Sequence, residues 1–195
     1  RPVFRCAGCP VGEYDFAPHD VGRYPYAAGQ VYGLSKEGEN REFCCDNGAI
    51  FPFYYEYPAG LSVYDVRDQM PVEESGNMMI LTAAVCELER SGAFASPYYE
   101  VLKTWAGYLL AYGEDPGEQL CTDDFAGHLA HNVNLSAKAV MGIEAFSRIS
   151  ACLGKEEEAK RYHEAAVRMA QSWETRSDAG DHYRLTFDCE ESWSL

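Results

Sequence analysis

Leu135-Ser-Ala-Lys-Ala-Val-Met-Gly-Ile-Glu-Ala-Phe-Ser-Arg-Ile-Ser-Ala-Cys-Leu153, followed by Gly154 and then Lys155 to Arg176, decides the fold class. In the first run Leu135, Ala139, Ile143, Phe146, Ile149 and Leu153 recur at helical spacing, which predicts a helix from about residue 135 to 153. Gly154 suits the left-handed residue that closes a helix. The second run repeats the period through Ala159, Tyr162, Ala166, Met169 and Trp173. Glu156, Glu157 and Glu158 fall in its first turn, where the helix dipole favours negative charge. Two helices joined by so short a turn form a helical hairpin.

An earlier stretch repeats the pattern. Met78, Leu81, Val85 and Leu88 predict a helix over Met78 to Arg90, stopped near Gly92. Ser96-Pro97 reads as an N-cap followed by proline at the first helical position. Val101, Leu102, Trp105, Leu109 and Tyr112 then mark one face of a helix ended by Gly113. Irregular polar segments alternate with these hairpins. The expected class is all-α with little β, a portion of an (α/α)6 toroid in which loops at one end line a central cleft. Tyr183 to Phe187 reads as a short strand.

Just before the second hairpin lies Cys121-Thr-Asp-Asp-Phe-Ala-Gly-His-Leu-Ala-His-Asn-Val-Asn134. Two carboxylates, two imidazoles and two amides crowd into it. If Asp124 starts a helical turn, Asp124 and His128 stand at i and i+4, with His131 and Asn132 following on roughly the same side. The competing reading is a capping region, in which Asp123 or Asp124 caps a helix and the His and Asn side chains satisfy backbone groups.

Residues 1 to 72 hold most of the Pro, Gly and Tyr. Pro18 and Pro25 stiffen Ala17-Pro-His-Asp-Val-Gly-Arg-Tyr-Pro-Tyr26, and His19 and Asp20 are its chemical content. Residues 34 to 66 read as a loop insertion, with an aromatic, β-prone run from Ile50 to Tyr57. Cys6, Cys9, Cys44 and Cys45 could form a zinc site, although adjacent cysteines fit a tetrahedron poorly; free thiols or one disulfide are the other reading. Cys86 and Cys152 sit in apolar helical patterns, as small hydrophobes do. The 195 residues suit one domain, and the two ends suggest a part of a longer protein. The net charge of −15 argues against a nucleic-acid partner. No apolar run is long enough to span a bilayer.

Three pairs carry candidate chemistry: Asp20 beside His19, Glu73-Glu74 and Asp123-Asp124. Glu73, Glu74, Asp123 and Asp124, with His128, are the catalytic candidates, because two carboxylates brought together can run hydrolysis, one as acid and the other activating water. His19, Asp20, Tyr24, Asn77, His131 and Asn132 are the substrate-binding candidates. Glu74 and Asn77 share a helical face at i and i+3, while Tyr24 and its neighbouring aromatics suit a wall that stacks on a small polar ligand. Structural readings compete: Glu73 and Glu74 would favour the dipole of a first turn, and His19-Asp20 would brace a tight turn. Carboxylates beside His could also ligate a hard cation such as calcium. No metal ligand set is assigned and no cofactor is predicted.

Pro18-His-Asp-Val-Gly-Arg-Tyr-Pro25, Met70-Pro-Val-Glu-Glu-Ser-Gly-Asn-Met78 and Leu120-Cys-Thr-Asp-Asp-Phe-Ala-Gly-His128, with His131-Asn-Val-Asn-Leu-Ser136, resemble the central helical domain of the glutaminase A family. The helices between them and Gly180-Asp-His-Tyr-Arg-Leu-Thr-Phe187 share the likeness, which covers nearly all of the chain outside the insertion. The resemblance implies a six-hairpin toroid related to many glycosidases, with the remaining hairpins of the same protein as partners. It implies hydrolysis of glutamine to glutamate and ammonia, and fungal members of the family are secreted. On that reading Asp124 or Glu74 activates water, His128 or His19 assists proton transfer, and Asn132 orients a small polar substrate, an amino-acid amide or a sugar. A glycoside hydrolase using two carboxylates of the same cleft is the second expectation, and a non-catalytic carbohydrate-binding or scaffold domain the third.

Overall fold

The computed structural model describes residues 15–17, 69–121 and 128–193. The chain divides into two compact units. Of the first, only Gln69 and Met70 are described; the second holds Asp15–Ala17 and everything from Pro71 onward. Within the second unit the described helices are α1 (Pro71–Glu89), α2 (Tyr99–Tyr112), α3 (Val133–Cys152) and α4 (Glu156–Ser177), with a short 3-10 turn at Ser96–Tyr98. No named strand occurs among the described residues. The segment expected as a strand instead forms isolated antiparallel bridges, Asn132 with Thr186 and Asp178 with Tyr183.

α1 and α3 run parallel. Lys138 donates to Glu73 at 2.6 Å, and further along Arg148 meets Glu87 at 3.6 Å. α2 and α4 return antiparallel to their partners. Tyr99 at the start of α2 shares a 3.1 Å hydrogen bond with Ser150 near the end of α3. On α4, Ser147 of α3 donates to the Ala159 carbonyl at 2.7 Å. Two consecutive hairpins therefore lie side by side in one direction.

The seam between α1 and α3 requires small residues. A Cβ on Gly142 would sit 2.9 Å from the Gly76 Cα, closer than real packing permits, so the two backbones touch there. Around this seam Met79, Leu102, Trp105, Leu109, Ile143, Phe146 and Ile149 are fully buried. Phe146 stacks on Tyr99 with centroids 5.4 Å apart and meets Tyr162 edge-on at 4.7 Å. One such ring removed from water contributes about 1.5–3 kcal/mol.

Both hairpin turns close by the same hydrogen-bond pattern. After α3, Lys155 N–H donates to the Ser150 carbonyl and Gly154 N–H to Ala151, with Gly154 at φ +70°. After α1, Ser91 N–H donates to Cys86 and Arg90 N–H to Glu87. Here the left-handed residue is Arg90, at φ +50°, where a side chain is disfavoured. Gly92 follows as a packing residue: a Cβ there would meet the Leu153 side chain at 2.6 Å.

Several expectations need correction. α1 begins at Pro71, not Met78, because proline is accommodated at a first helical position and Glu73 and Glu74 favour the dipole. Its expected apolar face is turned outward, with Leu81 62% and Leu88 85% exposed. The buried face runs through Val72, Ser75, Gly76, Met79, Thr82, Ala83 and Cys86. Ser96 lies in the 3-10 turn and makes no side-chain cap; α2 starts at Tyr99. Cys86 is a buried free thiol, which burial pushes up, whereas Cys152 is exposed at the end of α3. The four cysteines weighed as a zinc site, and the 34 to 66 insertion, lie outside the described residues.

Candidate functional site

Because α1 and α3 are parallel, their N-termini open at the same end, beside the C-termini of α2 and α4. The connecting segments meet there. Val72 N–H donates to Gln119 Oε1 at 3.0 Å, and Leu129 N–H to the Gln119 carbonyl at 3.3 Å. His131 N–H donates to Pro116 at 2.7 Å, and Val133 N–H to Leu185 at 3.1 Å. Ala17 N–H donates to Ser75 Oγ at 3.0 Å, bringing the residue before Pro18 to the first turn of α1. Chain segments far apart in sequence thus share one helix-end surface.

Of the nominated residues, Glu73, Glu74, Asn77, His128, His131 and Asn132 are described, and all lie in segments at this end. Asp123, Asp124, His19, Asp20 and Tyr24 lie outside the described residues. Glu73 is buried and paired to Lys138, a side chain that spacing alone did not nominate. Glu74 and Asn77 follow on α1, both half-buried. His128 is exposed and not helical, and α3 begins only at Val133, so the helical face expected to run through His128, His131 and Asn132 does not form.

Asn132 ends that segment as the N-cap of α3. It is buried, its Oδ1 accepts from the N–H groups of Asn134 and Leu135 at 2.9 and 3.1 Å, and its amide faces Cys121 Sγ at 3.8 Å. This is the capping alternative, met by Asn132 and not by an aspartate, because the helix starts later than Asp124 would require. Its carbonyl oxygen fixes where α3 begins, which places Lys138 opposite Glu73.

His131 immediately precedes that cap at φ +59°, a conformation uncommon for a residue with a side chain. Its Nδ1 lies 2.9 Å from Asp115 Oδ1. Arg176, in the last turn of α4, reaches Asp115 Oδ2 at 2.8 Å and the Glu114 carbonyl at 3.2 Å. The hydrogen bond to Asp115, and then its charge, hold the His131 imidazole protonated to higher pH than usual. Asp115 and Arg176 were not nominated from the sequence. Asp115 sits in an Asp-Pro turn and Arg176 near a helix C-terminus, both ordinary places for such residues.

A separate cleft of about 420 Å³ is lined by Glu174, Asp178, Gly180, Asp181, His182 and Tyr183. His182 Nδ1 lies 2.7 Å from Asp181, and this bond holds the Asp181 carboxyl below its usual range. The His182 ring stacks on Trp193 at 4.0 Å. Among the described residues no group of three His, Cys, Asp or Glu side chains is arranged to hold a metal ion. Nor is any described helix long and apolar enough to cross a membrane.

Adjacent hairpins with parallel first helices, and loops gathered at one end, are the repeating unit of all-α hairpin domains. The chain belongs to the family described as the glutaminase A six helical-hairpin domain, whose model matches residues 1–195. It is 30% identical over 171 residues to Glutaminase A of Aspergillus oryzae, an alignment covering 85% of this chain and 24% of that protein. It is 37% identical over 98 residues to a protein of Arthroderma benhamiae named "Probable glutaminase", covering 49% of this chain and 11% of that protein. The chain therefore spans about a quarter or less of the length of these curated relatives. No solved structure matches it.

Proposed function

We propose that the full-length protein is a glutaminase-like hydrolase that releases ammonia from a small polar carboxamide such as glutamine. Membership in the family and the names of two relatives support the reading. The structural observation that carries it is the common end of α1 and α3, where Glu74 and the His128–His131 segment both lie. Glu74 or Asp124 activates water, and an imidazole (of that segment or His19) moves the proton to the departing nitrogen. Glu73, buried and tied to Lys138, takes no step in this reading. The outward stripe of Met78, Leu81, Val85 and Leu88 packs against further hairpins of the same protein, since a six-hairpin domain holds more than the two described here.

Ammonia release from glutamine by the full-length protein tests this, measured beside sugar release from a glycan panel. Ammonia without sugar is the expected result. Sugar without ammonia transfers the site to a two-carboxylate glycosidase. Ligand binding with neither product makes it a binding domain.

A further inference from the structure

We propose that Asp115 and Arg176 are positioning residues that hold His131 as the proton-carrying imidazole of the hydrolytic site. The proposal rests on the amide-hydrolase reading above and names which histidine serves it.

His131 is held twice over. Its ring is fixed by Asp115, whose other carboxylate oxygen is held by Arg176. Its carbonyl accepts from Phe187 N–H at 2.9 Å, and the Arg176 guanidinium covers the Phe187 ring at 4.0 Å. Ring and backbone are therefore anchored through the same arginine. A left-handed non-glycine residue persists only where its surroundings over-determine it, and such residues concentrate at functional sites. An exposed ion pair alone stabilises a fold by little, so stability does not account for this arrangement.

With Nδ1–H donating to Asp115, the Nε2 lone pair is available, and it has no protein partner among the described residues. The side chain is 44% exposed. In the reaction a water polarised by the carboxylate of the proposed site gives its proton to Nε2 as the new C–O bond forms on the carboxamide carbon. The C–N bond then breaks, the imidazolium returns that proton to nitrogen, and ammonia leaves with a carboxylic acid as the other product. The charged groups acting on the imidazole are Asp115 and Asp188, which favour its protonated form, and Arg176, which opposes it. Because the base is the neutral ring, kcat rises as pH climbs through the elevated His131 midpoint.

The test uses the full-length protein and an NMR titration of its histidines. Asp115→Asn is expected to lower the His131 midpoint, move the acid limb of kcat down by the same amount, and reduce kcat by roughly 100-fold with little change in KM. Asp115→Glu is expected to restore most of the rate, and Arg176→Gln to lower kcat by a smaller factor. Unchanged circular dichroism shows that the variants fold. If Asp115→Asn shifts the His131 titration while kcat and its acid limb stay put, the positioning proposal is overturned and the hydrolase reading stands. If the wild-type protein releases no ammonia, the broader reading fails first and takes this one with it.

Discussion

Glu73 and Lys138 stand 65 residues apart and face each other because α1 and α3 occupy equivalent places in successive hairpins. Yet the two hairpins are built differently. In the second, α4 is polar on one side and apolar on the other, and the side read from its period, through Ala159, Tyr162, Ala166 and Met169, is the buried one. In the first, α1 is apolar on both sides. There Leu81 and Leu88 face outward, while the buried side carries Val72, Met79 and Cys86 beside the small residues Ser75, Gly76, Thr82 and Ala83. Where the two backbones touch, at Gly76 and Gly142, size decides which residue fits, and the large buried side chains lie to either side of that contact.

The largest expected contrast comes from truncating one large side chain on each side of that difference. Phe146→Ala should cost about 3–5 kcal/mol in urea unfolding, because it leaves a cavity among Tyr99 and Tyr162. Leu88→Ala in this chain should stay within about 0.5 kcal/mol. A large loss from Leu88→Ala would mean that the outward face of α1 is already covered.

The link between the hairpins comes next. Lys138→Met should cost about 3 kcal/mol by leaving the buried Glu73 carboxylate without its lysine, and adding Glu73→Gln should recover part of that loss. No recovery in the double variant would show that the lysine stem, and not its charge, supports the seam. Asn132→Ala should then cost about 1 kcal/mol of thermal stability through the lost cap of α3. The smallest effects divide the two turns. Arg90→Gly should stabilise by about 0.5–1 kcal/mol, while Gly154→Ala should destabilise by about 1 kcal/mol, since both sites are left-handed. Equal responses at the two turns would remove that distinction.

The candidate site was legible in a different way from the helices. Crowding of titratable groups marked residues 121 to 134, and His131 and Asn132 do lie at the end where the loops meet. Their roles were not legible. Spacing suggested one helical face, but His131 adopts a left-handed backbone and Asn132 begins the helix. Asp115, Lys138 and Arg176 carried no local signal, because each acts on a residue brought near only by folding: Asp115 on His131, Lys138 on Glu73, Arg176 on Asp115.

Hydrophobic period, proline and glycine placement, and the quoted motifs were enough for the class, the hairpin order and the family, because these are local properties of the chain. Which face of α1 is buried, which residue caps α3 and which carboxylate holds His131 were decided by packing. Those choices depend on how closely two backbones approach and on which distant side chain arrives opposite, and no window of sequence contains either quantity.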